Sequence, residues 1–350
     1  MDPFVYDALA GRVVFGPGRR REIGDEVDRL GVDRVLLIAD GFDLERASEI
    51  ERVLGTRCVG VFTNVVQHVP VALAEQAREL ATSTGAQATV TFGGGSATGF
   101  GKAVALSHRL PQLCLPTTYA GSELTPIWGL TDGTQKRTGR DLGVQPVTVI
   151  YDPELTLDLP IDIAGPSAMN ALAHAVEGLY GPGANPVMSA VALESVRVLV
   201  EHLPLMKQDP SDLDERSAVL YGAYLAGAVL AVVGTALHHK TCHVLGGLFN
   251  LDHGQMNAVV LPQALAYNAP AIADQYGRLT SLLGGDAAGT LFDLARALDT
   301  PSSLAQIGFP DDGVDVAAPL VAQAAADNVR SLTVDDAREF LEACIRGERP

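Results

Sequence analysis

The residues of this 350-residue chain whose types and spacing could do chemistry fall into two groups, and the more unusual is a set of polar side chains in apolar helical sequence. Asn170 and His174 stand four apart in Ser167-Ala-Met-Asn-Ala-Leu-Ala-His-Ala-Val-Glu177. His239 and His243 repeat that spacing in Leu237-His-His-Lys-Thr-Cys-His-Val-Leu-Gly246, and His253 follows in Asn250-Leu-Asp-His-Gly254. On a helix, residues four apart project from one face. A lone histidine in such a setting is usually a hydrogen-bonded core residue. Here five of the eight histidines fall at 174 and within 238–253, which points to a site instead. The chemistry open to the set is proton transfer near neutral pH, N–H donation to an oxyanion, or ligation of a divalent metal. A hard-metal site would normally include a carboxylate, and the residue on the matching face is Asn170. His68, His108 and His202 sit in loop or helix-end contexts and are expected to be solvated.

The second group surrounds Thr91-Phe-Gly-Gly-Gly-Ser-Ala-Thr-Gly-Phe-Gly-Lys102. A β-branched run, Ala88 to Phe92, enters three glycines, and a helical pattern, Gly101 to Leu106, leaves them. Glycines let the backbone approach a pyrophosphate, Ser96 is placed to cap the helix, and the helix start offers N–H groups and positive dipole. The spacing is neither GxGxxG nor a Walker loop, so a plain βα turn is the competing reading. Two other strand ends carry polar groups. Asp40-Gly41 closes the apolar run Val35-Leu-Leu-Ile-Ala39, where an acid would accept from an adenosine ribose and repel a 2′-phosphate. Thr117 and Thr118 close Gln112-Leu-Cys-Leu115.

The elements that must position these groups follow from periodicity. Strands are expected at 11–16, 35–39, 58–62, 88–92, 112–115 and 147–151, alternating with helices at 20–30, 71–84 and after the glycine loop, with further strand and turn over 128–150. That order predicts a doubly wound parallel sheet whose ligand lies outside the carboxyl ends of the strands. Beyond about residue 160 the sequence becomes Ala/Leu/Val-rich helix: 166–180, 186–202, 213–234, 236–247, 257–269, 286–298, 315–329 and 333–345. The expected organisation is therefore an α/β dinucleotide-binding domain over 1–157 and an all-helical substrate domain over 158–350. With 47% apolar and 19% charged residues the composition is that of an ordinary enzyme. A formal net charge of −17 argues against nucleic acid or an anionic membrane as partner, and requires local cations for any anionic substrate. The four cysteines have no paired spacing, so no disulfide framework or cysteine zinc site is expected. No basic leader or uninterrupted apolar run of about 18 residues is seen, and a cytoplasmic location is expected.

Several blocks together resemble the iron-containing alcohol dehydrogenases, which share the dehydroquinate-synthase-like fold. They are the Gly-Gly-Gly-Ser loop, the Pro116-Thr-Thr strand end, Asp152-Pro-Glu-Leu-Thr156, the helix bearing His174, the His239–His243 pair, and His253-Gly254 before Asn257-Ala-Val-Val-Leu-Pro262. The match runs from Phe15 to about Asn268. Within that family the wording is most similar to the maleylacetate reductases, in Gly93–Lys102, Pro116–Glu123, Ile127-Trp-Gly-Leu130, Lys136-Arg-Thr-Gly-Arg-Asp141 and Leu237-His-His-Lys240. The resemblance implies NAD(P)H-dependent reduction of the enone double bond of maleylacetate to 3-oxoadipate in aromatic-compound degradation, by a homodimer acting on a small dicarboxylate. It assigns His174, His239, His243 and His253 to catalysis, and Asn170, His174, His239, Lys240, His253 and Tyr119 to the substrate. Asp40, Gly93, Gly94, Gly95, Ser96, Thr98, Thr117, Thr118 and Lys136 fall to NADH or NADPH. The family's metal ligands, an Asp and three His, fall on Asn170, His174, His239 and His253, and the Asp usual in the glycine loop is Gly99. No metal is therefore expected; were one bound, His174, His239 and His253 would hold it. His243 matches the family histidine near the nicotinamide. The alternatives are a metal-dependent alcohol or polyol dehydrogenase, a non-redox lyase or synthase using the dinucleotide as bound catalyst, and a dinucleotide sensor.

Overall fold

Every residue of Val35–Ala39 is buried, as a run apolar on both faces requires, and the computed structural model shows why. The structure describes residues 4–9, 11–41, 44–133 and 135–350, and the side chain of Lys136 is not among the described parts. Two compact units form, one over Ala8–Leu159 and the other over Pro160–Pro350 with the described residues before Ala8.

In the first unit six parallel strands are β1 (Arg12–Phe15), β2 (Val35–Ala39), β3 (Cys58–Phe62), β4 (Ala88–Gly93), β5 (Gln112–Pro116) and, after the antiparallel hairpin β6 (Ile127–Asp132) and β7 (Gln135–Arg140), β8 (Thr148–Tyr151). Their order across the sheet is β1-β8-β5-β4-β2-β3. Helices α1 (Ile23–Leu30), α2 (Leu44–Leu54), α3 (Val71–Thr84) and α4 (Gly95–His108) cover the two faces. Alternate residues of β2 serve both. Val35, Leu37 and Ala39 pack with Ile23, Val27, Ile50 and Leu54, whereas Leu36 and Ile38 pack with Ala74, Ala77, Phe100 and Val104. From β2 the chain moves outward to β3, and from β4 it moves the other way to β5, so the strand order reverses between β2 and β4. A crevice at the carboxyl ends of two such strands is where open α/β sheets take ligands. Asp40 ends one and the three glycines end the other.

The second unit is helical, as expected, with α5 (Ile161–Glu177), α6 (Pro186–Gln208), α7 (Leu213–Val233), α8 (Leu237–Phe249), α9 (His253–Asn268), α10 (Ala273–Leu283), α11 (Ala287–Ala297), α12 (Gly313–Ala324) and α13 (Val334–Arg346). Two helices, α2 and α10, lie outside the expected pattern. α9 starts four residues before the apolar pattern because the Asp252 carboxylate accepts the Gln255 N–H at 2.8 Å and caps it. α7 is long and apolar enough to cross a membrane by length and composition, yet 61% of its apolar window is buried within the fold. Its Arg216 is buried too, donating to the Pro210 carbonyl at 2.9 Å.

Candidate active site

At the end of β4, Gly93 adopts φ +140°, and a Cβ there would lie 2.2 Å from Asp40 Oδ2. Only glycine lets the strand end pass the carboxylate at that distance. Asp40 in turn accepts the Gly94 N–H at 3.1 Å. A Cβ on Gly94 would meet Thr118 Cγ2 at 3.1 Å and one on Gly95 would meet Ala120 at 3.2 Å, so the Thr117–Ala120 segment closes over the glycines. Ser96 does not cap α4: the N-cap is Gly94, with no side-chain cap, and Ser96 lies in the first turn. Ser96, Thr117 and Thr118 are half-buried, whereas Thr98 is buried with its hydroxyl turned to the Cys114 thiol. Tyr119 is likewise buried. Lys136 falls on β7, and its side chain lies outside the described residues. At Gly99, where the resembling family carries Asp, a Cβ would lie 2.7 Å from Val69 Cγ2.

In the helical unit, α5, α8 and α9 bring the histidines together. α5 presents Asn170, His174 and Glu177 at successive turns, and α8 presents His238, His239 and His243. Gly254 lets α9 abut α5, since a Cβ there would lie 2.9 Å from Pro166 Cβ. The rings of His174 and His239 stack with centroids 4.3 Å apart and 13° between planes. His243 and His253 form a second parallel pair at 6.2 Å and 9°, with His239 and His243 centroids 6.4 Å apart. The first pair is buried and the second exposed.

Glu177 anchors the buried layer. It accepts the backbone N–H of His238 at 2.8 Å at the start of α8, where the N-cap Ala236 has no side chain to do so, and it contacts His239 Nδ1 at 2.7 Å. His238 packs edge-on against His239 and contacts the Asn257 carbonyl through Nε2 at 3.0 Å. Burial pushes the His174 and His239 imidazoles well below their ordinary range, and the neighbouring rings add to it. His238 is lowered by burial against the opposing pull of Glu177, and burial raises Glu177 despite its donors. Burial thus favours the neutral form of these imidazoles. Lys240 of α8 pairs with Asp327.

Glu177 and His238 are site residues that the sequence reading leaves out. Glu177 had a legible signal, for it stands three after His174 and seven after Asn170, on the same helix face. Lys102 is another: fully buried, its ammonium contacts the Ser122 and Ile127 carbonyls at 2.7 Å each and the Ser122 and Thr125 hydroxyls at 3.1 and 3.0 Å. It ties α4 to the chain that follows Thr117 and Thr118.

The donor set departs from that of a hard-metal site, which would normally include a carboxylate. Asn170, His174, His239 and His253 supply no anionic ligand. Glu177, His238 and His239 do offer atoms within 4.8 Å of one another. Both Glu177 oxygens are already engaged by N–H donors, and His238 Nε2 faces a carbonyl that can only accept.

Residues 10–153 match the family model for iron-containing alcohol dehydrogenase, and residues 165–345 match that for the Fe-containing alcohol dehydrogenase family, C-terminal. Maleylacetate reductase of Burkholderia cepacia is 46% identical over 100% of both chains, and maleylacetate reductase of Sphingobium indicum is 45% identical over 99% of each. The crystal structure of maleylacetate reductase from Agrobacterium tumefaciens superposes with a TM-score of 0.95 at 42% identity, covering 100% of both chains.

Proposed function

Because the chain belongs to the iron-containing alcohol dehydrogenase family, we propose that it reduces the enone double bond of maleylacetate to give 3-oxoadipate, with a nicotinamide as hydride donor, in aromatic-compound degradation. The observation that carries the reading, beside the full-length similarity to maleylacetate reductases, is the amide at position 170 within the five-histidine cluster. An alcohol oxidation needs its alkoxide stabilised, commonly by a metal. A double bond conjugated to a ketone needs only N–H donors at the ketone oxygen.

A bound nicotinamide would supply a hydride to the alkene carbon remote from the ketone, and the displaced π electrons would then rest on the ketone oxygen as an enolate. Donors from Asn170 and His174 stabilise that oxygen. When the enolate collapses, the carbon beside the ketone takes a proton, and the exposed His243 and His253 are suited to give it because they exchange protons with solvent. In protonated form they also offset the two substrate carboxylates on a chain of net charge −17. Gly93–Gly95 and the start of α4, with Thr117 and Thr118, would hold the pyrophosphate, and Asp40 would accept from the adenosine ribose. The reading includes a homodimer working in the cytoplasm, whose mass sedimentation would give.

Purified enzyme mixed with maleylacetate should oxidise NADH or NADPH at a rate undiminished by chelator, with bound metal well below one per chain. Oxidation of neither nicotinamide sinks the reading; one metal per chain with activity lost on chelation replaces it by a metal-dependent dehydrogenase. His243→Ala should lower kcat/KM by about 10²–10⁴, the usual contribution of a general acid.

A further inference from the structure

Carbonyl and carboxylate oxygens decide where the protons sit in the histidine cluster. The Asn257 backbone carbonyl can only accept, so His238 carries its proton on Nε2, 3.0 Å away. A neutral His238 then has a lone pair at Nδ1, and the His239 Nδ1 that lies 3.1 Å from it is the donor. The same His239 Nδ1 lies 2.7 Å from Glu177 Oε2, also an acceptor. The two contacts agree: His239 is the Nδ1–H tautomer, and its Nε2 presents a lone pair. That lone pair faces the Asn170 side-chain amide, with Oδ1 3.3 Å away. An amide oxygen there would set two acceptors against each other. Turning the amide by 180°, which keeps its heavy atoms in the same places, sets NH2 against the lone pair instead.

We propose that Glu177 is a positioning residue which, through His239, holds the Asn170 amide with its NH2 group toward the reacting centre, making Asn170 a hydrogen-bond donor to the substrate's enolate oxygen. This rests on the enone-reductase reading above. One Asn170 N–H is held by His239 and the other is left for the oxyanion. His174, stacked on His239, supplies the second donor. Its Nδ1 is buried with no hydrogen-bond partner, and an orphaned N–H is less tolerated there than an orphaned lone pair, so its proton sits on Nε2. Two neutral donors then occupy the positions where the resembling family places an Asp and a His metal ligand. A carboxylate at 170 would oppose the His239 lone pair unless a proton or cation lay between, which gives a physical reason for the amide.

The tautomer is read directly from enzyme labelled with ring-15N histidine and free of substrate, the His239 signals being assigned by their loss in His239→Gln. Expected is a protonated Nδ1 and an unprotonated Nε2; a protonated Nε2, with or without the Nδ1 proton, overturns the proposal. In kinetics, Asn170→Ala should lower kcat about 10²–10³-fold, as loss of one oxyanion donor does elsewhere. Glu177→Gln cannot accept from both His238 N–H and His239 Nδ1, and should lower kcat about tenfold or more while leaving the KM for the dinucleotide unchanged. Placed in the Asn170→Ala background it should cost less than about threefold more, because the two act as one unit. Multiplying effects would overturn the relay. Should the wild type fail to oxidise either nicotinamide with maleylacetate, the functional reading falls, while the 15N shifts still decide the relay.

Discussion

The Asp40 carboxylate accepts the Gly94 N–H at 3.1 Å while standing at the carboxyl end of β2, so it shapes the glycine loop and is also placed to select the dinucleotide. These two roles separate by substitution. Asp40→Ser keeps an oxygen for Gly94 but removes the charge, whereas Asp40→Ala removes both. The ratio of kcat/KM for NADPH to that for NADH is expected to rise at least about tenfold in both variants, equivalent to ~1.4 kcal/mol. Only the Ala variant should also weaken binding of both dinucleotides. A ratio that stays put in both would make Asp40 a turn residue alone. The same distinction between shape and charge explains Asn170, whose side chain has nearly the volume of Asp but carries N–H donors in place of a negative charge.

At the scale of elements, the strand–turn–helix unit of β4 and α4 depends on Gly93 for its bend and on Lys102 for its hold on the neighbouring chain. Burial pushes Lys102 down to about 7, and the four surrounding oxygens favour keeping it an ammonium all the same. Gly93→Ala combines a left-handed φ with a contact of 2.2 Å to Asp40. It is expected to destabilise the fold by about 1–3 kcal/mol, visible in the urea midpoint, and to raise the KM for the dinucleotide more than that for maleylacetate. Equal changes in the two constants would show that the loop does not hold the dinucleotide. In the helical unit the corresponding device is Glu177, which caps α8 from α5 and so fixes the rotation of the helix that carries three of the histidines.

For the whole molecule, stability against acid should depend on Glu26. Burial by itself would raise its carboxyl, but the bidentate Arg12 and the nearby Arg29 outweigh burial and hold it below the usual 4.5. In the unfolded chain the group titrates at its usual value and so binds more protons than the folded protein below that pH. The stabilisation is therefore complete above pH 4.5 and lost as pH falls toward the folded value. Urea midpoints measured from pH 6 to pH 3 should fall less steeply for Glu26→Gln than for the wild type; parallel curves would exclude a contribution from the contact that joins edge strand β1 to α1.

How much of this was written in the sequence depends on range. The six strands of a parallel sheet, the placing of Asp40 and the glycines at strand ends, and the helical second half follow from continuous apolar runs, period-3.6 patterns and glycines at strand ends, all interactions within about a dozen residues; the order of the strands, with its reversal between β2 and β4, comes from pairing between distant segments. The gathering of the histidines was legible as an i, i+4 spacing repeated on two helices. α10 was not, because Leu279 alone of its eleven residues is buried, which leaves too short an apolar stripe to read. Nor was the Ser96 position, in the first turn rather than at the cap, since helix starts depend on backbone dihedrals and not on residue type alone. The tertiary structure alone decided which nitrogen of His239 carries the proton. That choice depends on Glu177, 62 residues earlier, and on His238, whose own proton is fixed by the Asn257 carbonyl 19 residues further on. Hydrogen-bond direction is set by which groups lack protons, and no local pattern brings those groups into hydrogen-bond reach of one another.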